Sequence, residues 1–335
     1  MAGAKKTGKS GKKRRKRHGP ESRSAGQGGE RIIPRFSRFN TERVNRKIGK
    51  LVEGKSFRDT DELQSFIARA MDEGTLDASG SGPEGMDTPV EQAQELAFQA
   101  MEEPDDRKAL ALARRALELD PDCIDARSVE IQITMDDLLD RVKAHNALLE
   151  QARQAMGKEF FEENKGQFWG VVTTRPYMRA LDYLADLLVP LERFDEAIAV
   201  YEEMIELNPE DNQGVRDSLL GLYLGEGDVL RARSLLNRYH KDDMAVFSWG
   251  RAIERFLSGD MPQAREALKN AVRANAFVLP IIAGFEDIPE DHDGGFSPGD
   301  INEAWYCLME LGPVWKKQPD VMTWIASELP GLIET

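Results

Sequence analysis

The sequence predicts an all-α fold, a solenoid of helical hairpins that follows a disordered basic arm. Three observations carry this prediction. An alanine followed four residues later by an apolar residue recurs along most of the chain, as expected for the second helix of a hairpin. Two of these segments end in the same short phrase. The first thirty residues are rich in Lys, Arg, Gly and Ser, a composition that buries too little apolar surface to offset the entropy of ordering.

The recurring alanines set the period of the predicted array. Successive alanines are separated by 35, 53, 35 and 32 residues. The interval of 53 corresponds to one period of about 34 residues plus an insertion of about 19. We therefore expect two hairpins, an insertion at about 157–177, and three further hairpins. The five alanines are Ala109, Ala144, Ala197, Ala232 and Ala264.

The ends of the predicted helices support this period. Leu119–Pro121 and Leu207–Pro209 each consist of Leu, then Asp or Asn, then Pro. Asp or Asn before Pro favours the end of a helix and a turn. Gly227 and Gly259 precede their alanines by five residues, where a tight turn between two helices needs a flexible residue.

Residues 178–211 resemble the tetratricopeptide repeat (TPR), although the Trp, Leu, Gly and Tyr core positions of that family are substituted. The resemblance implies two helices per repeat, each repeat leaving an apolar face that only its neighbour covers. The matching positions are Leu181, Leu184, Ala185, Leu188, Ala197, Tyr201 and Pro209.

A second resemblance covers residues 178–324. The order of Leu235–Tyr239, Ala271–Pro280, Ser297–Asp300 and Trp305 is similar to the C-terminal half of the suppressor of tumorigenicity 7 family and its uncharacterised bacterial TPR relatives. This resemblance implies a helical repeat fold and no known chemistry. The predicted organisation is a disordered basic arm at 1–39, two short helices and a linker at 40–88, TPR-like repeats at 89–278, and a C-terminal helical cap at 279–335.

Charge is distributed unevenly along the chain. Residues 1–50 carry a net charge of +14, whereas the whole chain carries −14, which leaves −28 on residues 51–335. The basic arm predicts either contact with nucleic acid or the ribosome, or a solvated tail that meets an acidic protein surface. In a eukaryote the same run could direct nuclear import. The residues of the predicted nucleic-acid contact are Lys12, Lys13, Arg14, Arg15, Lys16 and Arg17.

Several function classes are not supported by the sequence. Cys123 and Cys307 are far apart and form no CxxC pair, which indicates buried thiols in a reducing, cytoplasmic compartment. The longest apolar stretch, Ala276–Phe285, has ten residues and contains Pro280, whereas a bilayer span needs about 20. No HExxH or GxSxG motif occurs, and the histidines lack metal-ligand spacing. We therefore predict no catalytic residue, no metal, no cofactor and no membrane segment.

The insertion is the most unusual stretch, because aromatic residues are followed by turn-forming and then basic residues. One interpretation is that its aromatic side chains fill the junction between the second and third repeats. The other is that Arg175, Tyr177 and Arg179 form part of a recognition surface, since Arg and Tyr are common interface anchors. In the TPR pattern the first helix of each repeat lines a groove, which places these residues inward: Arg179, Asp182, Tyr183, Asp186, Asp217, Ser218, Trp249 and Ile253.

The predicted function is that of a non-catalytic adaptor or scaffold that binds a peptide or helix of a protein partner in this groove. The acidic body indicates a basic partner. The basic arm of the same chain is one candidate ligand, and a nucleic-acid-binding protein that acts through the arm is the alternative function.

Overall fold

The computed structural model describes residues 39–74, 88–286 and 295–333. Every regular element in these three stretches is a helix, and most of the helices form stacked hairpins. The predicted all-α solenoid of helical hairpins is confirmed. The predicted basic arm lies outside the described residues, apart from its last residue, Phe39. Before the hairpins lie α1 (Asn40–Val52) and α2 (Thr60–Asp72).

Five hairpins follow, and in each of them two consecutive helices pack against each other. A short helix and a 3₁₀ turn separate the second hairpin from the third. In chain order the elements are α3 (Pro89–Glu102) with α4 (Asp106–Leu119), α5 (Ile124–Thr134) with α6 (Leu138–Met156), then α7 (Lys158–Glu163) and the 3₁₀ turn Val172–Thr174, α8 (Arg175–Leu188) with α9 (Phe194–Leu207), α10 (Arg216–Gly225) with α11 (Val229–Arg238), and α12 (Ala245–Leu257) with α13 (Met261–Ala274).

Local side-chain caps fix where many of these helices begin. Thr88 and Glu91 form a capping box at the start of α3, each side chain accepting a hydrogen bond from the backbone N–H of the other. An aspartate precedes four of the second helices and accepts a hydrogen bond from a backbone N–H three residues later, so the turn of each hairpin is encoded locally. These aspartates are Asp105, Asp137, Asp228 and Asp260.

Small residues allow the two helices of a hairpin to approach. Four of the five predicted anchor alanines are fully buried, but Ala144 is only half-buried. In α6 the buried face instead contains Val142, His145 and Leu149. The predicted register of the second repeat is therefore wrong by one residue: the buried position is His145 and not Ala144. The His145 ring nitrogen Nδ1 hydrogen-bonds the Arg141 carbonyl oxygen.

Buried apolar side chains form two clusters. The smaller one joins Phe39 to α3, α4 and α5, and the larger one extends from α6 to the C-terminal helices. Buried charged residues lie on α1, α3, α5 and α8, where these two clusters meet. They are Glu42, Arg43, Glu95, Asp125 and Arg179.

The C-terminal helices return across the last two hairpins. α15 packs on α12, and α16 packs on α10. Trp324 stacks on Phe256 of α12 with ring centroids 4.6 Å apart. This region therefore belongs to the main apolar core. Its helices are α14 (Val278–Ile282), α15 (Ile301–Glu310), α16 (Gly312–Lys317) and α17 (Pro319–Ile333).

Candidate functional site

The first helices of the hairpins, α3, α5, α8, α10 and α12, form one surface of the solenoid, which we call the inner face. Two other parts of the chain lie on it. α1, the N-terminal cover, bonds to side chains of α3 and α8. α15 and α16, the C-terminal cover, pack against α10 and α12. Between the two covers, α8 presents Asp182, Tyr183 and Asp186.

Arg179 is the centre of a buried ionic cluster. Its guanidinium donates to Asp125 of α5 at 2.5 and 2.9 Å and to Glu42 of α1 at 2.7 Å. Burial alone would lower the pKa of Arg179, but the two carboxylates outweigh it and raise that pKa. Gln94 of α3 also donates to Asp125, at 2.6 Å. Arg179 was predicted to line the groove, and in this structure α1 and α5 enclose its side chain. Its role in partner binding stays a prediction.

Arg43 of α1 forms a second buried ionic contact beside the first. Its guanidinium donates to Glu95 at 2.9 Å and to Glu102 at 3.1 and 3.2 Å. Phe39 stacks on Phe98 with ring centroids 4.7 Å apart, and the Arg43 guanidinium lies 5.2 Å from the Phe98 ring. The aromatic surface thus shields these ion pairs from water and adds a cation–π contact.

The aromatic side chains of the insertion fill the junction between the second and third hairpins. Phe161 and Phe168 pack edge-on against each other and against Tyr177. The Tyr177 hydroxyl donates to Glu203 at 2.9 Å and accepts from Arg153 at 2.8 Å. Tyr177 is fully buried, so its predicted place on a recognition surface is wrong and the packing interpretation describes it.

Arg175 begins α8 and closes the insertion onto this helix. Its Nε donates to the carbonyl oxygen of Trp169 at 2.8 Å, and its guanidinium lies 5.1 Å from the Trp169 ring. Burial lowers the pKa of Arg175; the nearby Glu42 opposes this shift, and the Arg179 charge adds to it. The side chain is 12% exposed. Arg175 is therefore held by contacts within the protein, and its predicted part in a recognition surface stays a prediction.

Asp182, Tyr183 and Asp186 are the predicted residues that remain accessible. Asp186 is exposed, and the other two are half-buried. The Tyr183 hydroxyl lies 3.9 Å from Met101 Sδ. The Asp186 carboxylate opens to solvent but lies deep in the inner face, where partial dehydration raises its pKa to about 6. A role in partner binding stays a prediction for these three residues.

Asp217 and Ser218 of α10 lie under the C-terminal cover. Ser218 Oγ donates to Glu310 at 2.6 Å, and the Tyr306 hydroxyl donates to Asp217 Oδ2 at 3.2 Å. Burial, together with neighbouring carboxylates that include Glu310, raises the pKa of Asp217 to about 7. Asp217 Oδ1 is buried without a hydrogen-bond partner among the described residues. These residues therefore join the inner face to α15.

Comparison with known families identifies the repeat. The family model described as tetratricopeptide repeat matches residues 179–211, which contain nearly all of α8, all of α9 and the start of the following turn. The chain carries a tetratricopeptide repeat. The predicted repeat at 178–211 is thereby confirmed. No curated protein matches the chain, and the resemblance to the suppressor of tumorigenicity 7 family stays a prediction.

The TPR pattern also predicted that Trp249 and Ile253 of α12 line the groove, and this placement is wrong. Both side chains are fully buried, because α12 lies between α10, α13 and the C-terminal cover. Glu303 of α15 fixes this arrangement by accepting a hydrogen bond from the Ala245 backbone N–H at 2.9 Å. The cover thus supplies a cap that the first residue of α12 needs.

The C-terminal cover approaches α10 at backbone distance. A Cβ atom on Gly221 would overlap the carbonyl oxygen of Glu310, and one on Gly225 would lie 2.7 Å from Pro313 Cβ. Only glycine allows so close an approach without displacing backbone. Four fully buried apolar side chains complete the contact: Ala304, Cys307, Leu311 and Val314.

The ion pairs beneath α1 were missed at the level of sequence. Arg43 and Glu95 are 52 residues apart, and Glu42 and Arg179 are 137 residues apart, so no local spacing marks either pair. One signal was present: α1 has four basic residues and one acidic residue. Such a helix has more charged than apolar side chains, which favours docking through ion pairs.

Other predictions concern residues or properties away from the inner face. The predicted nucleic-acid residues, Lys12 to Arg17, lie outside the described residues. Within the described part of the chain, no helix has the length and hydropathy needed to cross a membrane. The same part contains no group of three His, Cys, Asp or Glu side chains placed to hold a metal ion.

Proposed function

We propose that this chain is a protein-interaction adaptor that binds a basic segment of a partner on the inner face of its TPR array. The observation that carries the proposal is the acidic, accessible stretch of α8 between the two covers. Asp186 is exposed there, and Asp182 lies one turn before it. Glu310 of the C-terminal cover lies close enough for its pKa to be raised by Asp186, after the larger effect of burial.

The residues assigned to this surface are a reduced set of those predicted from sequence. Asp182, Tyr183 and Asp186 are retained as contact residues, and Asp217 is retained as a group beneath its edge. Tyr183 supplies aromatic area at low entropic cost, and the carboxylates supply charge-assisted hydrogen bonds to Lys or Arg. TPR arrays are suited to such binding because stacked repeats create an extended surface.

Charge reversal on this surface tests the proposal. In the variant Asp182→Arg/Asp186→Arg, binding of a Lys/Arg-rich 15-residue peptide should weaken about tenfold or more, as measured by fluorescence anisotropy. Affinity purification with mass spectrometry should show the same loss for a native partner. Asp195→Arg, on an exposed position of α9, is the matched control. Equal binding by the two variants, with helical circular dichroism retained, would overturn the proposal.

A second candidate function rests on the composition of the arm. Residues 1–17 contain nine Lys or Arg residues, a density that favours salt-dependent contact with nucleic-acid phosphates. Deletion of residues 1–30 should abolish RNA or DNA binding in an electrophoretic mobility assay at low salt. Absence of binding by the full chain under those conditions would remove this candidate.

A further inference from the structure

The N-terminal cover lies on the inner face in the manner of a bound peptide helix. Contacts from Lys50 to Glu91 and from Phe39 to Phe98 show that α1 runs antiparallel to α3. It also runs antiparallel to α8, since Arg46 reaches the Val172 carbonyl while Phe39 lies beneath Arg179. These contacts are made by side chains of α1, and by Phe39 just before it, with α3, with α8 and with the 3₁₀ turn at Val172.

The charges of the two surfaces are complementary. Basic residues of α1 lie at i, i+3 and i+7 and pair with the carboxylates of the inner face or reach its backbone. Beneath α1, the inner face presents four carboxylates and two arginines, so its net charge is opposite to that of the helix. The carboxylates are Glu91, Glu95, Glu102 and Asp125, and the arginines are Arg175 and Arg179.

The apolar part of this interface is small. Within α1 the buried residues are Glu42 and Arg43, both charged, and Phe39 just before it supplies a buried ring. Val44, Ile48 and Leu51 are only half-buried. If α1 leaves, Glu95 and Glu102 regain water, while Arg179 keeps its ion pair with Asp125. Departure of α1 therefore recovers hydration energy that offsets part of the lost ion pairing.

α3 does not depend on α1 for its start. The capping box of Thr88 and Glu91 starts α3 locally. α1 is separated from α3 along the chain by α2 and the sequence 74–88, which is rich in Gly and Ser. A helix of 13 residues is marginal in isolation, so α1 gains its helical order as it docks.

We propose that the surface beneath α1 is a docking site for a basic amphipathic helix of a partner protein, and that α1 is its built-in competitor. The partner helix carries an aromatic residue at its start, Glu three residues later and Arg at the next position, as Phe39, Glu42 and Arg43 do. This inference goes beyond the proposed function, on which it rests only for the existence of a partner, because it concerns the covered part of the inner face.

A peptide-exchange experiment on the full chain tests the proposal. The probe is a fluorescent synthetic peptide of residues 39–53, and the protein variant is Glu42→Arg/Arg43→Glu, which alters α1 and leaves the inner face intact. The variant should bind the peptide at about 50 mM NaCl, with at least about tenfold weaker affinity at about 500 mM. The unaltered protein should bind it at least about tenfold more weakly than the variant does. Thr41→Glu, at an exposed position of α1, should behave as the unaltered protein.

A charge swap gives the specificity of the site. A peptide that carries Glu42→Arg and Arg43→Glu, the same changes as in the α1 of the variant, should bind the variant at least about tenfold more weakly than the natural peptide does. Equal binding by the variant and the unaltered protein, or no binding by a variant that retains its helical circular dichroism, would overturn the proposal. Neither result depends on Asp182 or Asp186, so failure of the proposed function remains distinguishable.

Hydrogen exchange on the unaltered protein keeps the proposal testable if the double variant fails to fold. The amides of α1 should exchange at least about tenfold faster than those of α15, and raising the salt concentration should accelerate α1 alone. Exchange of α1 and α15 at one common, salt-independent rate would show that α1 opens only with the whole fold, which contradicts its role as a competitor.

Discussion

The two covers of the inner face are built in opposite ways. The buried residues within α1 are charged, whereas those of α15 and α16 are mostly apolar and approach α10 at backbone distance. Apolar burial stabilises in proportion to area and needs no specific partner geometry. A buried ion pair offsets its own dehydration only while the partner stays in place. The C-terminal cover is therefore part of the core, and the N-terminal cover resembles a ligand.

This difference explains how one solenoid face can combine a permanent contact with an exchangeable one. The last two hairpins use glycines of α10 and the Glu303 cap on α12 to fix the C-terminal cover. The first three use Arg179 and Asp125 to link the two apolar clusters, and α1 adds Glu42 to that link. Removing either kind of contact should have consequences of a different size and a different salt dependence.

The largest expected effect follows from breaking the ionic cluster at its centre. Arg179→Met leaves Asp125 and Glu42 buried without their main partner, and loss of one member of a buried pair costs about 3–5 kcal/mol. Urea unfolding at neutral pH measures this free energy. Arg193→Met, which removes an exposed pair with Glu196, should cost less than about 1 kcal/mol. Similar losses in both variants would show that the buried ion pairs of Arg179 do not hold the two apolar clusters together.

The next effect concerns the C-terminal cover. Gly221→Ala places a methyl group against the Glu310 carbonyl oxygen, and neither backbone can move without disturbing α10 or α15. We expect a loss of about 3 kcal/mol in the free energy of unfolding, at the upper end of overpacking costs. Gly312→Ala is the control, since a Cβ there meets nothing within 4 Å. A loss of stability that depends steeply on salt would instead show that ionic contacts, and not packing, hold this cover in place.

The same contrast decides what could be predicted from sequence. The hairpins were predictable because alanine spacing, Asp-Pro and Asn-Pro ends and turn glycines are local signals. The covers were not, because nothing near Gly221 in the sequence marks its contact with residue 310, and nothing near Glu42 marks Arg179. Tyr177 was placed on a recognition surface and Trp249 in a groove, because the sequence pattern does not show what covers a side chain.

A smaller effect appears as a pH dependence that separates the covers. In the folded chain Asp217 keeps its proton up to about pH 7, whereas an unfolded aspartate loses it near pH 4. The folded state binds more protons between these values, so the contribution of Asp217 to stability falls as pH rises from about 4 to 7. We expect a decline on the order of 1 kcal/mol between about pH 5 and pH 7 in urea unfolding.

Asp217→Asn should remove this decline, and Asp195→Asn, at an exposed position of α9, should leave it unchanged.

At the N-terminal cover the pH dependence of stability has the opposite sign, because Lys50 and Thr88 outweigh burial and lower the pKa of Glu91. Its contribution is complete above the pKa of an unfolded glutamate and is lost as pH falls below it. This assignment would be contradicted if salt reduced the protection of the α1 amides from exchange to the same extent at about pH 3 as at neutral pH.

The smallest effect sharpens the view of α1 as a helix that folds when it docks. Gly49 is exposed within α1, and a Cβ there meets nothing within 4 Å. Gly49→Ala should therefore act through helix propensity alone, by about 0.5–1 kcal/mol. If α1 opens on its own, this gain appears as α1 amide exchange slowed about two- to fivefold, with α15 unchanged. Gly54→Ala, at a φ of +70° just after α1, should not slow exchange, because alanine is strained there. Slowing of α1 and α15 together would mean that the two covers open as one unit, and the distinction between ligand and core would be lost.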